Sequence, residues 1–309
     1  MEEYIFSRPD IELASYRFVH SSPKALLFVA HGMAEHAQRY FDFSQYVFEQ
    51  GFSVFLHDHR GHGQTKGIRG FFAKSDGWSK CVEDIHAHIE SIKEKYPDIP
   101  IFLFGHSMGS FLTQEFLIRY SDTVAGAILC GSNGTPPPIA KIGTLIAKLE
   151  SKIRGPDAPA TFSEKISTYE FNKRFQPIRT TQDWLTRDKS EVDKFIADPL
   201  SGFPCTTQFW LDMLGGIDEI CKPERQKNVR KDIPLFIISG TMCAVGLFGK
   251  GVRNLINAYT QAGLYQIAYA LYPGGRHEIL NEINKHEVYE DIHNWLCQQL
   301  EREQSSEPS

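Results

Sequence analysis

The chain has 309 residues, 41% of them hydrophobic and 23% charged, enough for one large α/β domain or two ordinary ones with a well-buried core. A net charge of −5 and the lack of any lysine- and arginine-rich stripe exclude a nucleic-acid binder. No run of about 18 apolar residues could span a bilayer, MEEYIFSRPD is unlike a signal peptide, and the six scattered cysteines lack C-x-x-C spacing. These features predict a cytoplasmic protein without a zinc site, a disulfide framework or a cofactor.

In chain order, strands are expected at residues 3–7, 14–20, 25–30, 53–58, 101–104, 126–130, 235–239 and 267–272. Arg8-Pro9-Asp10 splits the first two into an antiparallel hairpin. The others are short, almost wholly apolar runs, as in parallel strands buried on both faces. Helical patterns fall at 39–50, 78–96, 108–120, 250–262 and 285–301. Strands alternating with helices predict an α/β fold, a doubly wound and mostly parallel eight-stranded sheet with its chemistry at the carboxyl edge. The stretch 134–204 breaks this pattern with Pro136 to Pro138 and short amphipathic pieces, Ile139, Ile142, Leu145, Ile146 and Leu149 sharing one face. It is expected to form a helical lid over residues 1–133 and 205–300, with a small separate domain as the alternative; residues 301–309 are a polar, frayed tail.

The motif with most chemical content is IFLFGHSMG, residues 101–109. A strand-like run enters G-x-S-x-G and a helical run leaves it, the setting of a nucleophile elbow. The turn is so tight that Gly105 and Gly109 must lack side chains, and the hydroxyl of Ser107 projects above the sheet edge. A serine nucleophile needs a base. His277, in LYPGGRHEIL just past the last strand, is the expected base, within hydrogen-bonding reach of Ser107. The oxyanion donors are expected to be the N–H groups of Met108, next to the nucleophile, and of Met33, in FVAHGMAEHAQRY. His31, His106 and the loop that begins at Asp58 fit structural roles.

HGMAEHAQRY, DHRGHGQT, GHSMGS and YPGGRHEILNE, in this order and spacing, resemble the α/β-hydrolase superfamily. Within it they are similar to the monoacylglycerol lipase and lysophospholipase group, also described as the serine aminopeptidase S33 or Hydrolase-4 domain. The likeness runs from about Tyr4 to Leu296 and includes DWLTRD and DPLSGF near the lid exit. It implies Ser107 as nucleophile, His277 as base, Met33 and Met108 as oxyanion donors, and Glu35 and Arg39 as a pair beside the leaving-group pocket, where they either bind substrate or brace the loop.

One departure stands out. The family's third triad member follows the seventh strand in a segment like G-x-x-D-P-V-G, and here Cys243 stands in place of the aspartate and Ala244 in place of the proline. The segment after the sixth strand offers only Ser132 and Asn133 as substitutes, and Glu278 is expected to point away from the base. A neutral thiol neither orients nor stabilises an imidazolium well, and loss of the acid costs roughly 10⁴-fold in kcat in other serine hydrolases. The reading is therefore a metal- and cofactor-free serine hydrolase of single-acyl lipid esters, monoacylglycerols or lysophospholipids, weakened at the acid position. Transient membrane-surface contact through the lid is expected. The alternatives are a short-chain esterase, peptidase or acyltransferase, and a lipid-binding pseudoenzyme.

Overall fold

The chain opens with an antiparallel hairpin of β1 (Glu2–Arg8) and β2 (Ile11–Phe18). Six mutually parallel strands follow: β3 (Leu26–Ala30), β4 (Ser53–His57), β5 (Ile101–His106), β6 (Gly126–Cys130), β7 (Leu235–Gly240) and β8 (Ile267–Tyr272). In the computed structural model, which describes residues 1–134 and 139–306, they form one sheet of order β1-β2-β4-β3-β5-β6-β7-β8.

The apolar runs have a direct physical cause. Side chains alternate across a strand, so Leu26 and Phe28 of β3 enter one core while Leu27 and Val29 enter the other. In β5, Ile101 and Leu103 divide in the same way from Phe102 and Phe104. Helices α1 (Phe41–Glu49) and α10 (Lys285–Ser306) cover one face. Helices α2 (Gly77–Lys93), α3 (Met108–Tyr120) and α9 (Lys250–Gln261) cover the other. Each large apolar side chain so enclosed contributes about 2 kcal/mol. Register brings the carboxyl ends level, with Ala30 opposite Gly105, His106 opposite Cys130, and Gly240 opposite Tyr272.

Between β6 and β7 lies a helical insertion: α4 (Ile139–Arg154), α5 (Thr161–Asn172), α6 (Lys189–Ala197), α7 (Thr207–Ile220) and α8 (Pro223–Gln226). The expected triple-proline break at Pro136 to Pro138 lies outside the described residues. Helices α7 and α8 had no counterpart in the sequence reading. The signals for α7 were nevertheless present: Thr206 accepts the Phe209 N–H at 3.2 Å as an N-cap, and Phe209, Trp210, Met213, Gly216 and Ile220 recur at helical spacing on its buried side. Helix α10 continues to Ser306, so residues 301–306 extend it beyond Leu300. The first expected helix is divided into a 3₁₀ turn, Ala37–Tyr40, and α1.

Beneath the carboxyl edge runs a row of rings, the half-buried Tyr4 followed by buried histidines. Tyr4 Oη lies 2.6 Å from His88 Nε2, His88 Nδ1 3.1 Å from His57 Nδ1, and His57 Nε2 3.2 Å from His59 Nδ1. The His59 N–H donates to His31 Nε2 at 2.9 Å, which ties the loop after β4 to the loop after β3. Burial pushes all of these imidazoles down, His88 to about 3, and pushes neighbouring His62 to about 4. A histidine whose folded pKa lies below its unfolded value takes up protons on unfolding, so its stabilising effect is complete above about pH 6.5 and is lost as pH falls toward the folded value. Unfolding free energy from urea titrations should therefore stay level down to about pH 6.5 and then fall toward pH 5, by up to about 1.4 kcal/mol per pH unit for each such histidine, with the urea midpoint falling alongside. A flat midpoint over that interval would contradict neutral burial.

Candidate active site

Ser107 is the pivot between β5 and α3, with φ 53° and ψ −119°. Such a backbone costs a non-glycine residue about 1–3 kcal/mol. Its neighbours explain why the turn can close. A Cβ on Gly109 would lie 2.1 Å from the Ala30 carbonyl oxygen, and one on Gly105 would lie 2.4 Å from the Gly109 oxygen. Only glycine permits both approaches. The Ser107 N–H is held at 2.9 Å by the Cys130 carbonyl, and the Ser110 hydroxyl donates to Ser107 O at 2.6 Å.

His277 lies in the loop after β8 and is 2% exposed. Cys243, in the loop after β7 and wholly buried, sets its Sγ 3.2 Å from His277 Nδ1. The Gly246 N–H donates to the same sulfur at 3.2 Å. Burial raises the thiol pKa, so the group facing the imidazole is neutral. Burial and the nearby His106 ring push His277 well below its usual value, which leaves the imidazole uncharged. Among the described residues, the expected hydrogen bond from Ser107 to His277 is not made. The imidazole is held instead by Cys243, by His106 at 4.7 Å between ring centroids, and by Trp184 stacked at 5.0 Å. Nucleophile–base contacts often close only with substrate in place.

The N–H groups of Met33 and Met108 have no acceptor among the described residues, and both residues line the cavity above Ser107. Around them is a compact ionic network. Glu35 accepts from Gly32 N at 2.6 Å, Tyr40 Oη at 2.7 Å and Arg39 Nη1 at 2.6 Å. Burial alone would raise the Glu35 carboxyl, but Arg39 and His106 outweigh it and hold the group well below the usual carboxylate range. Arg39 also forks onto Glu278 at 2.6 and 2.7 Å. Glu278 is thereby committed away from His277 Nδ1. Glu35 reaches the cavity wall, whereas Arg39 stands behind it and is absent from the lining.

Comparison with known proteins shows the family and the fold. Residues 21–284 match the family described as Serine aminopeptidase, S33. The chain belongs to that family. The mouse monoglyceride lipase is 31% identical over 279 residues, which cover 85% of this chain and 82% of the relative. The monoacylglycerol lipase of Mycolicibacterium smegmatis is 25% identical, over 91% of this chain and 90% of the relative. Among solved structures, a thermostable carboxyl esterase from Bacillus coagulans in complex with glycerol superposes with TM-score 0.89 at 28% identity, covering 97% and 98% of the two chains. This serine aminopeptidase family member is a carboxylic ester hydrolase with the α/β-hydrolase fold.

In this hydrolase the insertion between β6 and β7, the expected lid, is fastened beside both Ser107 and His277. Residues 183–188, DWLTRD, run along the base loop. Leu185 O accepts the Glu278 N–H at 2.7 Å, Thr186 Oγ1 donates to Asn281 O at 2.9 Å, and Arg187 Nε meets Glu282 at 2.8 Å. Arg276 donates to the carbonyls of Asp183 and Thr186. Residues 198–202, DPLSG, are fastened to the loop after β3: Asp198 meets His36 Nε2 at 2.6 Å, and the Gly202 N–H donates to Ala34 O at 2.8 Å. Sequence reasoning quoted both segments as likenesses without seeing that each is a tie. It also passed over Trp184, which packs on the base.

Between the lid and the sheet is a cavity of about 860 Å³. Ser107, His277 and the two methionines lie on its wall together with an apolar lining that includes Phe111, Ile146, Phe171, Met213, Ile217 and Leu247. Within α4, Ile146 faces this cavity, whereas Leu145 and Leu149 face outward. The expected single apolar face is therefore split between two sides. The side chains of Ile139 and Ile142 lie outside the described residues.

Proposed function

We propose that this hydrolase cleaves esters of single-acyl lipids, monoacylglycerols or lysophospholipids, through an acyl-enzyme on Ser107. The observation that carries the proposal is the convergence of four groups on one apolar cavity: the elbow serine, a neutral histidine and two N–H donors without acceptors among the described residues. Ser107 Oγ attacks the ester carbonyl as its proton passes to His277. The oxyanion then lies between the Met33 and Met108 N–H groups, at the positive end of α3. Collapse expels the alcohol, which takes the proton from His277. Water repeats the sequence and releases the fatty acid. With the neutral Cys243 thiol where a carboxylate is expected, the imidazolium forms at higher cost and turnover is slow.

The cavity size and lining suit one acyl chain better than two. Relatives named for monoglyceride hydrolysis support the same substrate class. The outer surface of the lid supports contact with a lipid surface. Leu145, Leu149 and Ile153 on α4 are exposed at four-residue spacing, and Phe162, Ile166 and Tyr169 on α5 at spacings of four and three. Glu150 accepts the N–H groups of Phe162 and Ser163 at 3.0 and 3.2 Å, so the two stripes lie side by side. No described helix is long and apolar enough to cross a membrane.

Fatty acid release from a monoacylglycerol should exceed that from a diacylglycerol and depend on Ser107. Supplying the ester in neutral vesicles should raise its rate more than that of a soluble short-chain ester, and Leu149→Glu with Ile153→Glu should remove the difference. Equal hydrolysis of mono- and diacyl substrates would overturn the substrate class. A vesicle effect that survives both glutamates would overturn the membrane contact.

A further inference from the structure

Stabilisation of the base is the step for which the site lacks its usual group. His277 must carry a positive charge in each chemical step, and no carboxylate reaches its Nδ1. Glu35 and Glu278, which line the same cavity, are both paired with Arg39. The groups facing the ring come from four elements: Cys243 from the loop after β7, His106 from β5, the Gly131 backbone from the end of β6, and Trp184 from the lid. Of these, the thiol is neutral, the second imidazole disfavours another positive charge beside it, and the backbone offers no anion. Only the indole presents a negative face.

We infer that Trp184 stabilises the protonated form of His277, its π face carrying part of the work that a triad carboxylate performs in other serine hydrolases. The rings are stacked, with centroids 5.0 Å apart and planes inclined by 29°, within the range in which a cation is attracted to an aromatic face. The position is built. Phe171 backs the indole at 4.6 Å, and the hydrogen bonds of DWLTRD to the base loop fix Trp184 to the same loop that bears His277. The enclosure by lid and sheet strengthens the attraction, because no bulk water competes with the indole for the charge. Trp184 is thus a positioning residue that acts through the base, and the inference rests on Ser107 and His277 being the reacting pair.

Three measurements test it. Trp184→Leu should lower kcat by about tenfold while KM changes less than about threefold, and Trp184→Phe should restore most of the loss. Mono-, di- and trifluorotryptophan placed at position 184 keep the shape of the ring while draining its negative face, so kcat should fall stepwise with fluorine number. In the enzyme phosphonylated on Ser107, the His277 pKa read by NMR should drop by about one unit in Trp184→Leu. If the indole merely excludes water, that variant hydrates the ring and the pKa rises instead. A rising pKa would overturn the inference, as would a kcat indifferent to fluorination, and the fluorination series decides it even if Trp184→Leu fails to fold. Absence of Ser107-dependent turnover in the unsubstituted chain would instead overturn the hydrolase reading on which it stands.

Discussion

Cys243→Asp is expected to raise kcat by up to about 10⁴-fold, a gain of about 5 kcal/mol in transition-state stabilisation. The geometry needs little adjustment. The sulfur already faces His277 Nδ1 at 3.2 Å, and the Gly246 N–H that donates to it would serve a carboxylate oxygen equally well. A carboxylate there fixes the Nδ1–H tautomer, leaves Nε2 free to take the Ser107 proton, and balances the charge that then develops. Because this balance exists only while the imidazole is protonated, the gain should lie in kcat with little change in KM. Burying a charge beside a neutral ring should also lower the melting temperature. Activation accompanied by lost stability is the expected signature. Steady-state kinetics on one ester and a thermal melt of each protein would check it. An unchanged kcat in a folded variant would mean that another group already fills the acid's role.

Ser107→Ala should abolish labelling by a fluorophosphonate, yet leave stability within about 0.5 kcal/mol, because the Ser107 hydroxyl makes no hydrogen bond among the described residues. The rate effect should depend on the background. In an intact triad, loss of the nucleophile costs about 10⁶-fold and loss of the acid alone about 10⁴-fold, and these losses do not add. The chain with Cys243 has already forfeited most of the acid's share. Ser107→Ala should therefore cost it only about 10²-fold, but about 10⁶-fold in the Cys243→Asp background. Equal losses in the two backgrounds would contradict the thiol as the weak member. Labelling that persists in Ser107→Ala would contradict the nucleophile itself.

What the sequence discloses divides along a physical line. Local constraints are legible: the glycines at 105 and 109 are demanded by approaches of 2.1–2.4 Å, and the apolar runs by burial on both sheet faces. The position of Cys243 beside the base follows from its place after the seventh strand. Contacts between distant segments are not legible. That Glu278 turns to Arg39, 239 residues away, depends on how the loops after β3 and β8 meet, and that Trp184 lies on His277 depends on how the segment between β6 and β7 folds back. Neither local periodicity nor a motif carries that information. The lid's expected single apolar face failed for a related reason. A helix that spans cavity and solvent has two apolar sides, and helical spacing alone does not say which faces inward.

The row Tyr4, His88, His57, His59 has a consequence for how this chain can change. His88 and His57 meet through the same ring nitrogen, so one must donate where the other accepts. With each ring neutral, the choice at His88 dictates that at His57, and that in turn the one at His59. The row has two self-consistent proton arrangements and no mixture of them. A group that can only donate, or only accept, introduced at either end would select one arrangement for every member. Substitutions tolerated singly at Tyr4 or His59 can thus be incompatible together. Drift along this edge of the sheet should proceed in matched sets, with each accepted change narrowing which neighbours can follow.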